Sequence, residues 1–157
     1  PFLRGDIEGS SKEVGLFINN NSASLLVCEA PIDAMSLMSL LEHHKVAPEK
    51  YSYLAQGGVC LNSLEYHIKR QPKINTVYLC YDNDAAGHSA RAQSRELLKS
   101  LGFSGKIIDK PPHNKDWNDD LMAINTTIRE NVYDQTQLLT HKQQNERGLK
   151  ERWNLQE

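Results

Sequence analysis

At 157 residues, with 39% hydrophobic and 24% charged side chains, the chain is sized for one ordinary globular core. Its 18 Lys and Arg against 20 Asp and Glu leave a formal net charge of −2, which excludes the basic excess that drives nonspecific binding to nucleic acid; any such grip must be local or metal-mediated. No apolar stretch has transmembrane length and no basic-apolar signal segment opens the chain, so a cytoplasmic protein without membrane contact is expected, and the start at Pro1 rather than Met suggests a piece of a longer one.

Residues 14–18 alternate weakly and precede Asn19-Asn20-Asn21-Ser22, a turn-rich cluster that leads into the apolar run 25–28; together they read as a short N-terminal hairpin before the main sheet. Pro31 suits the first turn of a helix, where its missing N–H costs nothing. Ile32, Met35, Met38 and Leu41 then keep a helical stripe that Leu37 and Leu40 widen, predicting a well-buried helix. Residues 51–55 read as a second core strand ending at Gly57-Gly58, and Leu61, Leu64 and Ile68 mark a helix stopped by Pro72. The β-branched and aromatic run 74–81 is the clearest strand in the chain. Ala86, Ala90, Leu97 and Leu101 follow at helical spacing, with Gly102 as C-cap, before a strand at 106–109. Strands alternating with helices predict an α/β fold, a mostly parallel sheet of about four strands with right-handed crossovers.

Pro111-Pro112-His113-Asn114 interrupts that alternation, and Asp116-Trp117-Asn118-Asp119-Asp120 leads into a helical run through Leu121, Ile124 and Ile128. Residues 141–157 are charged and glutamine-rich, which suits an exposed helix, a frayed tail or a linker. The expected division is therefore a leader at 1–22, a core at 23–124 and a helical extension or linker at 125–157. Cys28, Cys60 and Cys80 show no CxxC spacing and read as buried thiols of a reducing compartment.

Acidic groups stand where apolar runs end: Glu29 and Asp33 after residues 25–28, Asp82 and Asp84 after 74–81, Asp116 after 106–109. Carboxyl ends of parallel strands share one edge of a sheet, so these carboxylates would repel one another unless a cation lay between them. Each has a plainer role when taken alone. Asp33 and Asp84 fall near helix N-termini, where a carboxylate complements the helix dipole by about 0.3–1 kcal/mol. Glu29 is harder to dismiss, because a glutamate at the end of a buried strand must be paired, metal-bound or turned to a solvent cleft. Asp82, Asp84 and Gly87 fit the start of a calcium loop, but Ala86 and Gln93 occupy later ligand positions and a strand precedes. The histidines show no metal-ligand spacing; His43-His44 fits a helix C-terminus instead.

Three motifs in order carry a family resemblance. Glu29-Ala30-Pro31-Ile32-Asp33-Ala34 is close to E-G-x-x-D, Asp82-Asn83-Asp84-Ala85-Ala86-Gly87 to D-x-D-x-A-G, and Lys115-Asp116-Trp117-Asn118-Asp119 to K-D-x-N-[DE]. The set resembles the toprim domain of topoisomerases, bacterial primases and some nucleases, nearest to primase-like members on bacterial mobile elements. Ala30 departs from the usual glycine, and Gly9-Ser10-Ser11-Lys12 resembles leaders of uncharacterised members.

The resemblance implies a Rossmann-like toprim fold in which Glu29, Asp82, Asp84 and Asp116 hold Mg²⁺ or Mn²⁺ against nucleic-acid phosphate. Glu29, Asp82 and Asp84 are the implied catalytic groups, with Glu29 either binding metal or exchanging a proton; Asp33 and Lys115 stand behind them as support. Trp117 reads as the packing anchor of the Asp116 loop. Arg91 and Arg95, one turn apart, read as an exposed helix face in preference to a small basic strip. The expected partners are DNA or RNA, nucleotides and further domains of the same polypeptide. Nucleotidyl transfer in a DNA primase-like replication protein is the implied activity; a toprim-type nuclease and a non-catalytic interaction module are the alternatives.

Overall fold

The computed structural model describes residues 14–58, 60–130, 132 and 135–136. The leader motif at residues 9–12 and the tail at 141–157 lie outside these described residues. The chain divides after Leu121, and the unit Pro1–Leu121 carries the sheet. Its elements run β1 (Leu16–Ile18), β2 (Ser24–Cys28), α1 (Pro31–His43), a 3₁₀ turn (Pro48–Lys50), β3 (Ser52–Ala55), α2 (Leu61–Arg70), β4 (Thr76–Leu79), α3 (Ala85–Ser100) and β5 (Lys106–Asp109). Residues 117–121 are helical. In the second unit, residues 122–130, 132, 135 and 136 are helical, with Met122 and Ile128 exposed. No helix among the described residues is long and apolar enough to cross a membrane.

The five strands form one sheet in the order β1-β3-β2-β4-β5. β2, β3, β4 and β5 run parallel, and β1 pairs antiparallel with β3, Leu16 opposite Ala55 and Ile18 opposite Tyr53. The α/β sheet expected from the alternation of elements is thus present, with β1 as a fifth, antiparallel strand. The N-terminal hairpin is not: β1 does not pair with β2. Both edges of β2 are already taken, by β3 and β4. The turn between β1 and β2 is instead fastened across the start of β3, where Asn20 Nδ2 donates to Tyr51 O (2.8 Å) and Ser22 Oγ to Lys50 O (2.6 Å).

The central strands β2 and β3 are buried on both faces, as a parallel sheet between helices requires, while the edge strands β1 and β5 are exposed or half-buried. One face is filled by Leu25, Val27, Leu54, Val77, Leu79 and Tyr81 with Leu64 of α2 and Ala90 and Leu98 of α3. Alternate residues, Leu26, Cys28, Tyr53 and Ala55, turn to the other face, where α1 supplies Ala34, Leu37 and Leu40. Fully burying a Leu or Val is worth roughly 1.5–3 kcal/mol, so these side chains dominate the fold's stability. The seam of α1 differs from the expected stripe: Ile32 and Met35 are about half exposed, while Asp33, Ala34 and Ser36 are buried. The small Ala34 and Ser36 let the helix approach the sheet closely, and the Asp33 carboxylate needs the polar strand edge beneath it.

From β2 the chain crosses to β3 on one side and later returns to β4 on the other. The carboxyl ends of β2 and β4 therefore flank the point where strand order reverses, the usual crevice for a ligand in an open α/β sheet.

Candidate metal centre at the carboxyl edge of the sheet

Glu29 leaves β2 at that crevice. Its carbonyl accepts hydrogen bonds from Gly57 N (2.9 Å) and Gly58 N (3.1 Å), which clamps the exit of β2 to the exit of β3. Gly57 and Gly58 have φ of +70° and +106°, a turn that side-chain-bearing residues enter only with strain. Asp33, in the first turn of α1, is buried and accepts from Ala30 N through Oδ2 (3.1 Å), folding the Glu motif back on itself.

Asp82 follows β4 by way of Cys80 and Tyr81. Asp84 is the N-cap of α3, with Oδ1 accepting from Gly87 N (2.8 Å), so the plain helix-capping role applies to this carboxylate and leaves its second oxygen uncommitted to the cap. Gly87 lies against Asp82: a Cβ at position 87 would stand 2.0 Å from Asp82 O.

The third motif is fastened directly to the second. Asn83 N donates to Lys115 O (2.8 Å), and the buried Trp117 donates from Nε1 to Cys80 O (2.7 Å). Asp116 Oδ1 accepts from Asp119 N (2.8 Å). Asp120, almost fully buried, holds the loop from below: Oδ2 accepts from His113 N, and Oδ1 accepts from Asn114 N and Asn114 Nδ2. Hydrogen bonds to a charged acceptor contribute about 1.5–3 kcal/mol each when made and leave unsatisfied donors when lost. Asp120→Ala is therefore expected to destabilise the fold by about 3 kcal/mol, and an unchanged urea midpoint would show that the 111–116 loop holds itself.

These positions bring the carboxylates within each other's fields. Enclosure pushes the Asp82 carboxyl up to about 6, and Asp33, Glu29, Asp116 and Asp84 add repulsion in that order. Glu29 is raised by burial, then by Asp84 and Asp33, with exposed Lys115 opposing. Asp33 is raised by burial and by Asp116, against the backbone amides of Ala30 and Trp117. Asp82 Oδ1 is enclosed, and no protein group among the described residues donates to it. A buried carboxylate oxygen without a donor is costly, and a proton, a water or a cation would each relieve it.

Among the described residues, no three carboxylate, imidazole or thiol groups already surround a common metal position. The donor set still fits a hard divalent ion. Only oxygen ligands are on offer, one of them is orphaned, and a Mg²⁺ that keeps most of its waters needs only one or two carboxylates. Cys28 and Cys80, the nearest soft donors, are buried free thiols; enclosure pushes Cys80 up to about 12 and Cys28 well above its usual range, so neither offers a thiolate.

A family model described as Toprim-like matches residues 26–121, more than half of the chain. The chain belongs to the Toprim-like family. This Toprim-like domain is 33% identical over 70 residues to an uncharacterised protein of Mycoplasma genitalium, covering 45% of this chain and 32% of that one. It is 31% identical over 112 residues to a 65 kDa protein of Zymomonas mobilis, covering 67% of this chain and 19% of that one. The chain thus spans less than a third of the length of these relatives. Among solved structures it is similar to the primase fragment of the bacteriophage T7 primase-helicase protein, with a TM-score of 0.51 and 22% identity over 73% of this chain and 44% of that one. It is similar at the same TM-score to a chain of a T7 lagging-strand DNA polymerase assembly containing primase domains bound to an RNA/DNA hybrid and dTTP. At this identity the likeness is one of fold.

Two expectations for the Toprim-like domain need correction. Arg91 is neither on an exposed face nor in a basic strip: it is 6% exposed, because its guanidinium is taken up by main-chain carbonyls at the exit of β4. Arg95 is half-buried and paired with Asp109 (2.7 Å). The spacing did carry a signal, since Gly87, Ala90, Arg91, Ser94 and Leu98 fall on one helical face and all are buried. Asp120 was passed over for a different reason, because its bonds run to backbone and to one asparagine and leave no pattern in the sequence.

Proposed function

We propose that this Toprim-like domain is the Mg²⁺-dependent catalytic domain of a DNA primase-like protein of a bacterium or mobile element. The observation that carries the reading is the orphaned, enclosed Asp82 Oδ1, set among four other carboxylates at the switch point of the sheet. Asp82, Asp84, Glu29 and Asp116 are the residues that would hold Mg²⁺ or Mn²⁺. A divalent ion held there supplies positive charge to a phosphoryl oxygen as negative charge develops on it. Glu29, whose carboxyl is raised by burial and by Asp84, is suited to hold or release a proton on the attacking or leaving oxygen. Asp33 steadies the Glu motif through Ala30, and exposed Lys115, whose charge acts on Glu29, is suited to meet a phosphate. DNA or RNA and nucleotides are the proposed partners, with the remaining grip supplied by further domains of the polypeptide.

Thermal denaturation tests the reading. Mg²⁺ and Mn²⁺ are expected to raise Tm, Mn²⁺ at lower concentration, as linkage requires of any ligand that prefers the folded state. In Asp82→Asn/Asp84→Asn the rise is expected to disappear. A metal-induced rise of equal size in the double variant would put the ion elsewhere. Product analysis on a primed and an unprimed single strand separates extended primers from the nicked strands of the nuclease alternative, and absence of both with metal bound would favour an interaction module.

A further inference from the structure

Among the described residues Arg91 is the one buried cation at the cluster, and none of their carboxylates pairs with it. The ion pairs among the described residues join Lys69 to Glu65, Arg95 to Asp109 and Lys99 to Glu96. Arg91 Nη1 instead donates to Tyr81 O (2.8 Å) and to Asp82 O (3.0 Å), and Nη2 lies 2.8 Å from His88 Nδ1. A guanidinium has no acceptor, so His88 Nδ1 accepts and the imidazole proton sits on Nε2.

The choice of carbonyls matters. Tyr81 O belongs to the peptide plane before the Asp82 Cα, and Asp82 O to the plane after it. One guanidinium nitrogen therefore grips both planes, and the relative setting of those planes is what fixes φ and ψ at Asp82. The second plane is held at its other end as well, where Asn83 N donates to Lys115 O (2.8 Å). With both dihedrals fixed, so is the direction of the Cα–Cβ bond that carries the carboxylate.

We propose that Arg91 is a positioning residue, which aims the Asp82 carboxylate at the metal position by holding the peptide planes on either side of it. The inference rests on the metal-binding reading given above. Charge alone makes the opposite forecast: removing a cation beside an acidic cluster should tighten metal binding, because it removes repulsion of the ion. Positioning forecasts weaker binding, by roughly 10–100-fold, as for other groups that orient a metal ligand.

The test is Mn²⁺ titration of the intact chain, followed by calorimetry and by the Mn²⁺ electron paramagnetic resonance signal, for wild type, Arg91→Gln and Arg91→Lys. Titrations are run at a temperature where circular dichroism shows each protein folded. Arg91→Gln is expected to bind Mn²⁺ roughly 10–100-fold more weakly than wild type. Arg91→Lys, which keeps the charge and loses the planar fork, is expected to bind more weakly as well. Wild-type affinity in Arg91→Lys, or unchanged or tighter binding in Arg91→Gln, overturns the proposal and leaves the metal reading standing. Absence of Mn²⁺ binding in the wild type overturns both. If Arg91→Gln fails to fold, the lysine variant decides alone, since a purely structural role would lower its Tm in chelator without changing the affinity of its folded form.

Discussion

Gly87→Ala is expected to cost this domain about 3 kcal/mol and to lower Tm by roughly 10 °C. The added Cβ would meet Asp82 O at 2.0 Å, Asp82 C at 2.8 Å and Asp82 N at 2.9 Å. All three are backbone atoms on a segment fixed by Arg91, Lys115 and Trp117, so no side chain can swing aside to make room. Either α3 moves off the sheet, uncovering Ala90 and Leu98, or the Asp82 peptide is pushed away from its bonds. Both routes also predict loss of metal-induced stabilisation. A variant with wild-type Tm would show that α3 slides along β4 freely, contrary to the packing described above.

Asp82→Asn is expected to act in the opposite direction, making the metal-free protein more stable at neutral pH. Asp82 binds its proton more tightly in the folded chain, near 6, than at its ordinary value of 3.8. The folded state is thus relatively favoured below about pH 4, and that advantage is lost as pH rises through about 6, where the carboxylate ionises among its acidic neighbours. In chelator at pH 7.5 the asparagine variant avoids this repulsion. Asp82 is only partly enclosed and solvent screens it, so the gain should be on the order of 1 kcal/mol and not the full value implied by the shift. Urea unfolding of the two proteins from pH 4 to pH 8 reads the effect: the difference should be near zero at the acid end and open between pH 4 and 6. Saturating Mn²⁺ should reverse the ranking at pH 7.5, because only the wild type gains from the ion. A variant less stable than wild type in chelator would mean that the carboxylate braces the loop.

Much of this architecture is legible in residue order. The β-branched run ending in Leu79 and the apolar run ending in Cys28 announce buried parallel strands, and the acidic residues just beyond them fall at one carboxyl edge because β2 and β4 run parallel. What escaped reading is held by nonlocal or backbone contacts. The partner of β1 depends on which edges of β2 are free, and nothing in residues 14–22 encodes that. The α1 stripe was legible as a period but not as a direction: Ile32 and Met35 face outward because the helix seats on its small residues and on Asp33. The tie between Asn83 N and Lys115 O uses main-chain atoms that every non-proline residue owns, so it leaves no trace in side-chain identity.

The antiparallel course of β1 has a consequence for how the domain can be joined to other polypeptide. A parallel edge strand would bring the chain in at the amino end of the sheet, behind the carboxylates. Because Leu16 lies opposite Ala55 and Ile18 opposite Tyr53, the chain instead enters the sheet at the edge where Glu29 and Asp82 stand. Any polypeptide joined through that entry would share the carboxyl edge with the crevice, and its local concentration there would be set by the reach of the tether and not by its abundance in solution. On the function proposed above, a nucleic-acid grip carried on such a tether would offset the weak attraction that a chain of net charge −2 has for a nucleic-acid strand.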